Sequence, residues 1–337
     1  MALEQNEPLH LSVLYGFVRG RQLEGTYSSD PTIGVWPETG LRISYGWGEV
    51  PEENWPYSES RNWPPKEPPG LDSIAKKHRL ACYQRIRSLQ ECKIALRKGP
   101  IDAAFEITKQ WYDAKNGLIE IPRQNTEIVS SHAMSIFGFD DKRSLLHFKN
   151  SWGEKWGDKG YGWLPYEYFE PYLVSAWIVY VQQVNFNFKC KPEIIGLNHT
   201  IDSIIGDKIH VIEFYDFLND ERIGWCFALI RDDWLDVEEF FVRPSYRHQG
   251  YGKRMANELL KLSIKLGLKL RLWIMHSDAA PSNAMALKWL SSYLRLNIVN
   301  SGVRWARYRA TLKTEAIGKS ETIKQPSRLD VFYFNKV

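Results

Sequence analysis

Two stretches of this sequence place residue types at spacings that chemistry can use. The first is Val242-Arg243-Pro244-Ser245-Tyr246-Arg247-His248-Gln249-Gly250-Tyr251-Gly252-Lys253, where an apolar run gives way to a helical pattern. Gly250 and Gly252 remove side chains that would keep a ligand from the backbone. The amide protons of such a turn converge at the positive end of a helix, which suits a pyrophosphate. Backbone donors from Gln249 to Lys253 would hold that anion, and Arg247 would add countercharge. A bare glycine pair would signal only a helix entry, but here a strand, a proline, an arginine and an amphipathic helix occur together.

The second stretch is Ser131-His132-Ala133-Met134 followed by His147-Phe148-Lys149-Asn150-Ser151-Trp152-Gly153-Glu154-Lys155-Trp156-Gly157. An imidazole that acts as a base needs a partner to fix its ring and tautomer. An asparagine carbonyl does this without adding charge. A tryptophan packed over that bond keeps out water and strengthens it.

Positioning these residues requires two differently built halves. The first half shows little long-range periodicity, and Pro51, Pro56, Pro64, Pro65, Pro68 and Pro69 punctuate a long loop. A helix is predicted over Ser88 to Lys98, with strands over Ile101 to Ile107, Leu145 to Asn150 and Ala176 to Val184. The second half is regular. Strands are predicted over Ile209 to Phe217, Gly224 to Arg231 and Val237 to Val242, with a hairpin turn at Leu218 to Arg222. A helix from Tyr251 to Leu266 carries the apolar stripe Met255, Leu259, Leu262 and Leu266. A strand over Leu268 to Met275 and a helix over Ser282 to Tyr293 follow. Trp305 to Leu312 and Val331 to Phe334 read as closing strands, and the join between halves falls in Phe186 to Asp207.

The chain has 337 residues, 44 % hydrophobic and 25 % charged, enough apolar material for two cores. A formal charge of +4, from 44 basic and 40 acidic side chains, argues against nucleic acid as a partner. No run is long and apolar enough for a membrane span, and Met1 to Leu11 lacks a signal-peptide pattern, so a cytoplasmic location is expected. Cys82, Cys92, Cys190 and Cys226 form no metal-binding spacing and read mostly as buried thiols, so no metal is expected.

Arg247-His248-Gln249-Gly250-Tyr251-Gly252 resembles the signature of the GCN5-related N-acetyltransferase (GNAT) family, and the resemblance spans about Ile209 to Phe334. It implies acetyl-CoA in a V-shaped gap between splayed strands, here Glu238 to Val242 and Leu270 to Met275. The turn would hold the pyrophosphate and the strand before it the pantetheine arm. Asn283, with Ala286 and Trp289, resembles the family's later helix, whose asparagine often lies near the cofactor. Where the family commonly has a tyrosine acid this sequence has Leu290; either the nearby Tyr293 serves, or the thiolate leaves without a side-chain acid.

For the amine's proton, a carboxylate near the central strand is the candidate base. Strand alternation sends Glu238 and Glu239 to opposite faces, so only one can face the cleft. Glu239 is preferred over Glu238, and a solvated structural role for both is the alternative. Backbone amides near Phe241 and Val242 could polarise the thioester carbonyl. His276, at a strand end, reads as a surface or packing residue more readily than a substrate contact.

The His132 to Gly162 stretch resembles the papain-like cysteine peptidase family. His132 matches its catalytic histidine, Asn150 the orienting asparagine, and Trp152 and Trp156 the indoles beside them. Tyr45-Gly46 and Pro51-Glu52-Glu53-Asn54-Trp55-Pro56-Tyr57 resemble the passage between the family's two subdomains. Met1-Ala2-Leu3-Glu4-Gln5 resembles the end of its cysteine-bearing helix, which would put the nucleophile before residue 1. Cys82 and Cys92 sit in the wrong segments to replace it. A degenerate scaffold, completion by another chain and a sequence that begins internally are the three explanations.

The expected architecture is therefore an α+β chain of two domains. Residues 1–190 form a papain-like peptidase domain, incomplete at its N-terminus, and 197–337 a GNAT-type mixed α/β domain with a splayed central sheet. The expected activity is acyl transfer from acetyl-CoA or another acyl-CoA to an amine, carried by a small molecule or a peptide or protein. A partner chain or a second copy is a candidate cover for the incomplete domain. The alternatives are a cysteine peptidase whose thiol comes from upstream or from a partner chain, and a nonenzymatic peptide-binding scaffold.

Overall fold

The computed structural model describes residues 9–28, 32–58, 63–123, 126–181, 194–205, 208–276, 297–303 and 328–333. The predicted helix over Ser282 to Tyr293 and the predicted strand over Trp305 to Leu312 lie outside them, as do Cys190, Asn283 and Tyr293.

The chain opens with helices α1 (Val13–Leu23), α2 (Pro37–Gly46) and α3 (Leu71–Ala75). Ser12 caps α1, its hydroxyl accepting the Tyr15 amide proton, and Pro37 starts α2 where its missing N–H costs nothing. These helices close a small core around Tyr15, Val18, Ile43 and Trp55.

A six-stranded sheet follows, built from β1 (Cys82–Arg85), β2 (Ile101–Thr108), β3 (Ile128–Asp140), β4 (Leu145–Lys149), β5 (Tyr161–Pro165) and β6 (Leu173–Tyr180), in the order β1-β6-β2-β3-β4-β5. Helices α4 (Leu89–Leu96) and α5 (Tyr166–Tyr172) pack on it, over a core that includes Phe105, Trp111, Phe148 and Phe169. The start of α4 is capped reciprocally: Ser88 accepts the Glu91 amide proton, and Glu91 accepts that of Arg87.

The second sheet has seven strands among the described residues, in the order β12-β13-β11-β10-β9-β8-β7. They are β7 (Ile194–Ile201), β8 (Ile209–Asp216), β9 (Glu221–Arg231), β10 (Trp234–Val242), β11 (Lys269–His276), β12 (Asn297–Val303) and β13 (Arg328–Tyr333). Its first strand begins three residues before the boundary read from the sequence, inside the segment expected to join the domains. Helix α6 (Tyr251–Leu266) connects β10 to its parallel neighbour β11. Gly250 and Gly267 cap α6 in left-handed conformations.

The apolar stripe of α6, with Met255 and Leu259 fully buried, covers one face of this sheet against Ile212, Phe240 and Leu235. The opposite face meets the first domain. Trp225, Phe227, Leu229 and Phe241 pack there against Leu41 and Tyr45 of α2, Tyr83 of β1 and Trp177 of β6. The second sheet therefore lies over the seam between the helical and the β-rich parts of the first domain. No helix among the described residues is long and apolar enough to cross a membrane.

Candidate functional site

Strands β10 and β11 pair in parallel from Trp234 with Lys269 to Val237 with Leu272, and there the pairing stops. Beyond that point β10 continues against β9 and β11 against β13. The strands part immediately before a bulge in β10: Val237 opposes Ala228 and Glu239 opposes Phe227, leaving Glu238 as the extra residue. The splay expected between Glu238 to Val242 and Leu270 to Met275 is present but opens only from Trp273 onward, because Leu270 to Leu272 still pair with β10. Arg243 N–H donates to Ile223 O at 2.9 Å. The two-residue period then turns the Phe241 amide toward β9 and the Val242 amide toward the side that β11 has left.

The turn beyond β10 is open. A single 3-10 turn (Pro244–Tyr246) leads to His248 at φ 63° and Gly250 at φ 87°. Nothing lies within 4 Å of where a Gly250 side chain would begin. The first amide of α6 to find a backbone carbonyl is that of Arg254, on Gly250 O at 3.0 Å; those of Gly250, Tyr251 and Gly252 meet no backbone acceptor among the described residues. Such unsatisfied amides at a helix start are the structural basis of anion binding.

The side chains of the turn divide by role. Tyr251 is buried against Phe214 and Tyr246, a packing role. Gln249 folds back, its amide donating to Ser245 O at 3.0 Å, and His248 and Lys253 are exposed. Arg247 donates through Nε to Val242 O at 3.0 Å and lies over the Phe241 ring. Burial and then nearby Arg42 lower its pKa. Arg247 thus ties the end of β10 to the turn.

The two glutamates depart from the expected alternation. Because the bulge inserts a residue, Glu238 and Glu239 both face the first domain. Glu239 is 5 % exposed; Arg42 Nη2 reaches its Oε1 at 3.0 Å, and Arg42 Nε and the Tyr83 hydroxyl reach its Oε2 at 3.1 Å and 2.9 Å. Its Oε1 also accepts the Phe240 amide proton at 3.0 Å. Glu238 Oε2 accepts the Arg85 amide proton at 3.0 Å, and Oε1 lies 3.2 Å from Arg87 and 3.3 Å from Arg231. The neighbouring Asp236 is paired with Arg87 and Arg271. His276 closes β11, with its backbone opposite Arg328.

The sequence pattern does not reveal this junction. Tyr45 donates to buried Glu213 at 2.7 Å, Tyr83 accepts from Trp225 Nε1 at 3.1 Å, and Arg222 donates to the carbonyls of Tyr45 and Leu80. Each partner lies far away in sequence, and the one usable signal was the run of acidic residues in a strand that must be buried on both faces.

In the first domain, His132 and Asn150 meet as expected. Strand β3 holds His132 opposite Phe105, and Asn150 follows β4, its amide bonded to Gly160 O at 2.9 Å. His132 Nε2 and Asn150 Oδ1 are 2.7 Å apart. An amide oxygen only accepts, so Nε2 carries the proton and Nδ1 keeps its lone pair. The Trp152 ring covers the imidazole with centroids 4.5 Å apart and is itself stacked on Tyr112. Burial lowers the His132 pKa, with the Asn150 bond opposing the shift. Cys82, Cys92 and Cys226 are buried free thiols; burial raises all three, Cys92 to about 12. A buried, protonated thiol is no nucleophile.

Comparison with known proteins agrees with both halves. Residues 33–170 match the papain family cysteine proteases, and residues 189–290 the acetyltransferase (GNAT) family. A peptidase C1-like protein of Acanthamoeba polyphaga mimivirus is 27 % identical over 218 residues, covering 59 % of this chain and 69 % of that protein. Pro-cathepsin H of Mus musculus is 34 % identical over 65 residues, covering 18 % of this chain but only 20 % of its own length. Among solved structures, xylellain, a cysteine protease from Xylella fastidiosa, aligns with a TM-score of 0.47 at 23 % identity, over 54 % of this chain and 75 % of that one. The chain is thus a fusion of a papain-like C1 domain with a GNAT acetyltransferase domain.

Proposed function

We propose that the C-terminal domain binds acetyl-CoA, or another acyl-CoA, and passes the acyl group to an amine. One observation carries this: β10 and β11 part after Val237 and Leu272, beside a turn in which the Gly250, Tyr251 and Gly252 amides find no backbone acceptor among the described residues. A gap between parted strands admits an extended arm, and the Val242 amide offers it the hydrogen bond that β11 no longer takes. The amides of Gly250 to Gly252 and the start of α6 suit a diphosphate, and Arg247 of the same turn is the candidate countercharge.

The coenzyme supplies an activated thioester. In the transfer, the amine nitrogen forms a bond to the acyl carbon, the carbon–sulfur bond breaks, and sulfur departs with the electron pair as a thiolate. One proton leaves the nitrogen. Glu239 and Glu238 are the expected acceptors for it, yet both are engaged in ion pairs across the domain junction. We therefore give these glutamates a holding role and let solvent take the proton. Catalysis then comes from orienting the thioester in the gap. Asn283 beside the coenzyme and Tyr293 as acid stay as expectations of the family resemblance.

The test is amine-dependent release of the coenzyme thiol. The full chain is incubated with acetyl-CoA and separate amines: a polyamine, a lysine-containing peptide and a peptide with a free N-terminus. Thiol release is followed with a chromogenic reagent and the product by mass. Acetylated product from at least one amine is expected; hydrolysis alone, or equal rates in a Gly250→Val variant, would contradict the assignment.

A second activity is favoured by the His132–Asn150 bond, which is an intact base with its orienting partner. Supplied with a thiolate at Nδ1, it would cleave peptides by the covalent route. The three described cysteines are buried away from that task, so the thiol would come from another segment or another chain. Labelling with an epoxysuccinyl thiol-protease inhibitor separates the cases: a His132-dependent cysteine adduct supports peptidase chemistry, and no adduct leaves this domain a scaffold.

A further inference from the structure

Asp236, Glu238 and Glu239 all face the papain-like domain, because the bulge brings two successive carboxylates of β10 to one side. Like charges packed this closely repel. Left alone, the strand would relieve the repulsion by returning to regular alternation, which swings one glutamate to the α6 face. That face holds Val237 and Phe240 and is apolar. The transferase domain's own Arg231 and Arg271 pair with Glu238 and Asp236, and the papain-like domain supplies the rest of the countercharge that keeps the irregular form. Arg42 of α2 grips Glu239 with two nitrogens, and the Tyr83 hydroxyl adds a third bond. Arg85 N–H and Arg87 hold Glu238 in the same way.

The bulge follows directly on the last β10–β11 pair. Whatever pins it therefore also sets where the gap opens and which amide, that of Val242, is turned into it. Glu239 adds a local link, since its Oε1 takes the Phe240 amide proton inside the bulge. We infer that Arg42 and Tyr83, on the papain-like domain, are positioning residues for the acyl-CoA site of the neighbouring domain: by clamping Glu239 they hold open the gap in which the coenzyme lies. This rests on the acyl-CoA assignment above. It makes the papain-like domain part of the transferase, whether or not it cleaves peptides.

The test is calorimetric titration of acetyl-CoA into the full chain, comparing wild type with Gly250→Val, Arg42→Met, Arg42→Lys and Tyr83→Phe, with near-ultraviolet circular dichroism as a check on folding. Arg42→Met is expected to weaken binding about tenfold or more, Tyr83→Phe less, and Arg42→Lys to fall between Arg42→Met and wild type. In turnover assays the KM for acetyl-CoA should rise more than kcat falls, a split that general loss of stability does not produce. If wild type binds, Gly250→Val does not, and Tyr83→Phe and folded Arg42→Met bind like wild type, the positioning role is overturned and the coenzyme site stands. Should Arg42→Met fail to fold, Tyr83→Phe decides, because it removes one hydroxyl and leaves the ion pair: unchanged affinity overturns the role and weakened affinity supports it. Absence of binding by wild type would remove the coenzyme site, and the positioning role with it.

Discussion

Glycine at 250 is required by backbone conformation as well as by space. A β-branched residue at φ 87° costs about 1–2 kcal/mol, and its side chain would project into the opening beside the free amides. Gly250→Val should therefore abolish acetyl-CoA binding while lowering stability by no more than about 1–2 kcal/mol, as read by calorimetry and urea denaturation; retained affinity would move the anion site elsewhere. A second residue-scale effect concerns Glu49, whose pKa burial raises from 4.5 to about 7, against the opposing hydrogen bond from Ser44. A carboxyl raised on folding contributes stability that is complete below its unfolded pKa and is lost as pH climbs through the folded one. Between pH 4.5 and 7 the wild type should lose about 2 kcal/mol through this group, less than the full shift implies because the side chain keeps some solvent contact. Glu49→Gln should remove that loss, and identical pH profiles for the two proteins would show that Glu49 ionises freely.

Elements whose signals are local were legible in the sequence. Helix α6 spans the predicted residues, since its apolar stripe and terminal glycines need no distant partner. The hairpin between β8 and β9 was likewise written in its polar turn. Strand β7 was not, because Ile194–Ile201 mixes glycine, asparagine and histidine with apolar residues and pairs on one side only. Helix α2 was not either: Pro37–Gly46 is poor in strong helix formers and is stabilised by burial against two domains. The bulge in β10 was invisible for a related reason. Two adjacent glutamates read as alternating until the arginines that gather both to one face are known. Gly46, at the end of α2, probes this contact, because a side chain there would meet Trp225 at 2.7 Å. Gly46→Val should cost about 1–3 kcal/mol in denaturant unfolding through overpacking, and a variant as stable as wild type would mean that α2 and β9 do not pack this way.

At the scale of the molecule, the two family resemblances were readable from motifs, but their joint core was not, since it depends on side chains far apart in sequence. Severed from residues before it, the transferase sheet would expose Trp225, Phe227 and Phe241 to water. A fragment beginning at residue 189 should bind a hydrophobic dye and aggregate, whereas a monomeric, dye-free fragment would show that the junction is dispensable. The His132 site shares no hydrogen bond with the junction among the described residues, so His132→Ala should leave acyl transfer within about twofold of wild type. A large loss would instead reveal coupling between the two sites. Binding of acetyl-CoA between the parted strands is read most directly by hydrogen exchange at single-amide resolution with and without acetyl-CoA. Slowed exchange at Val242 and at Gly250 to Gly252 is the outcome this geometry predicts; unchanged exchange at those amides under saturating acetyl-CoA would contradict it.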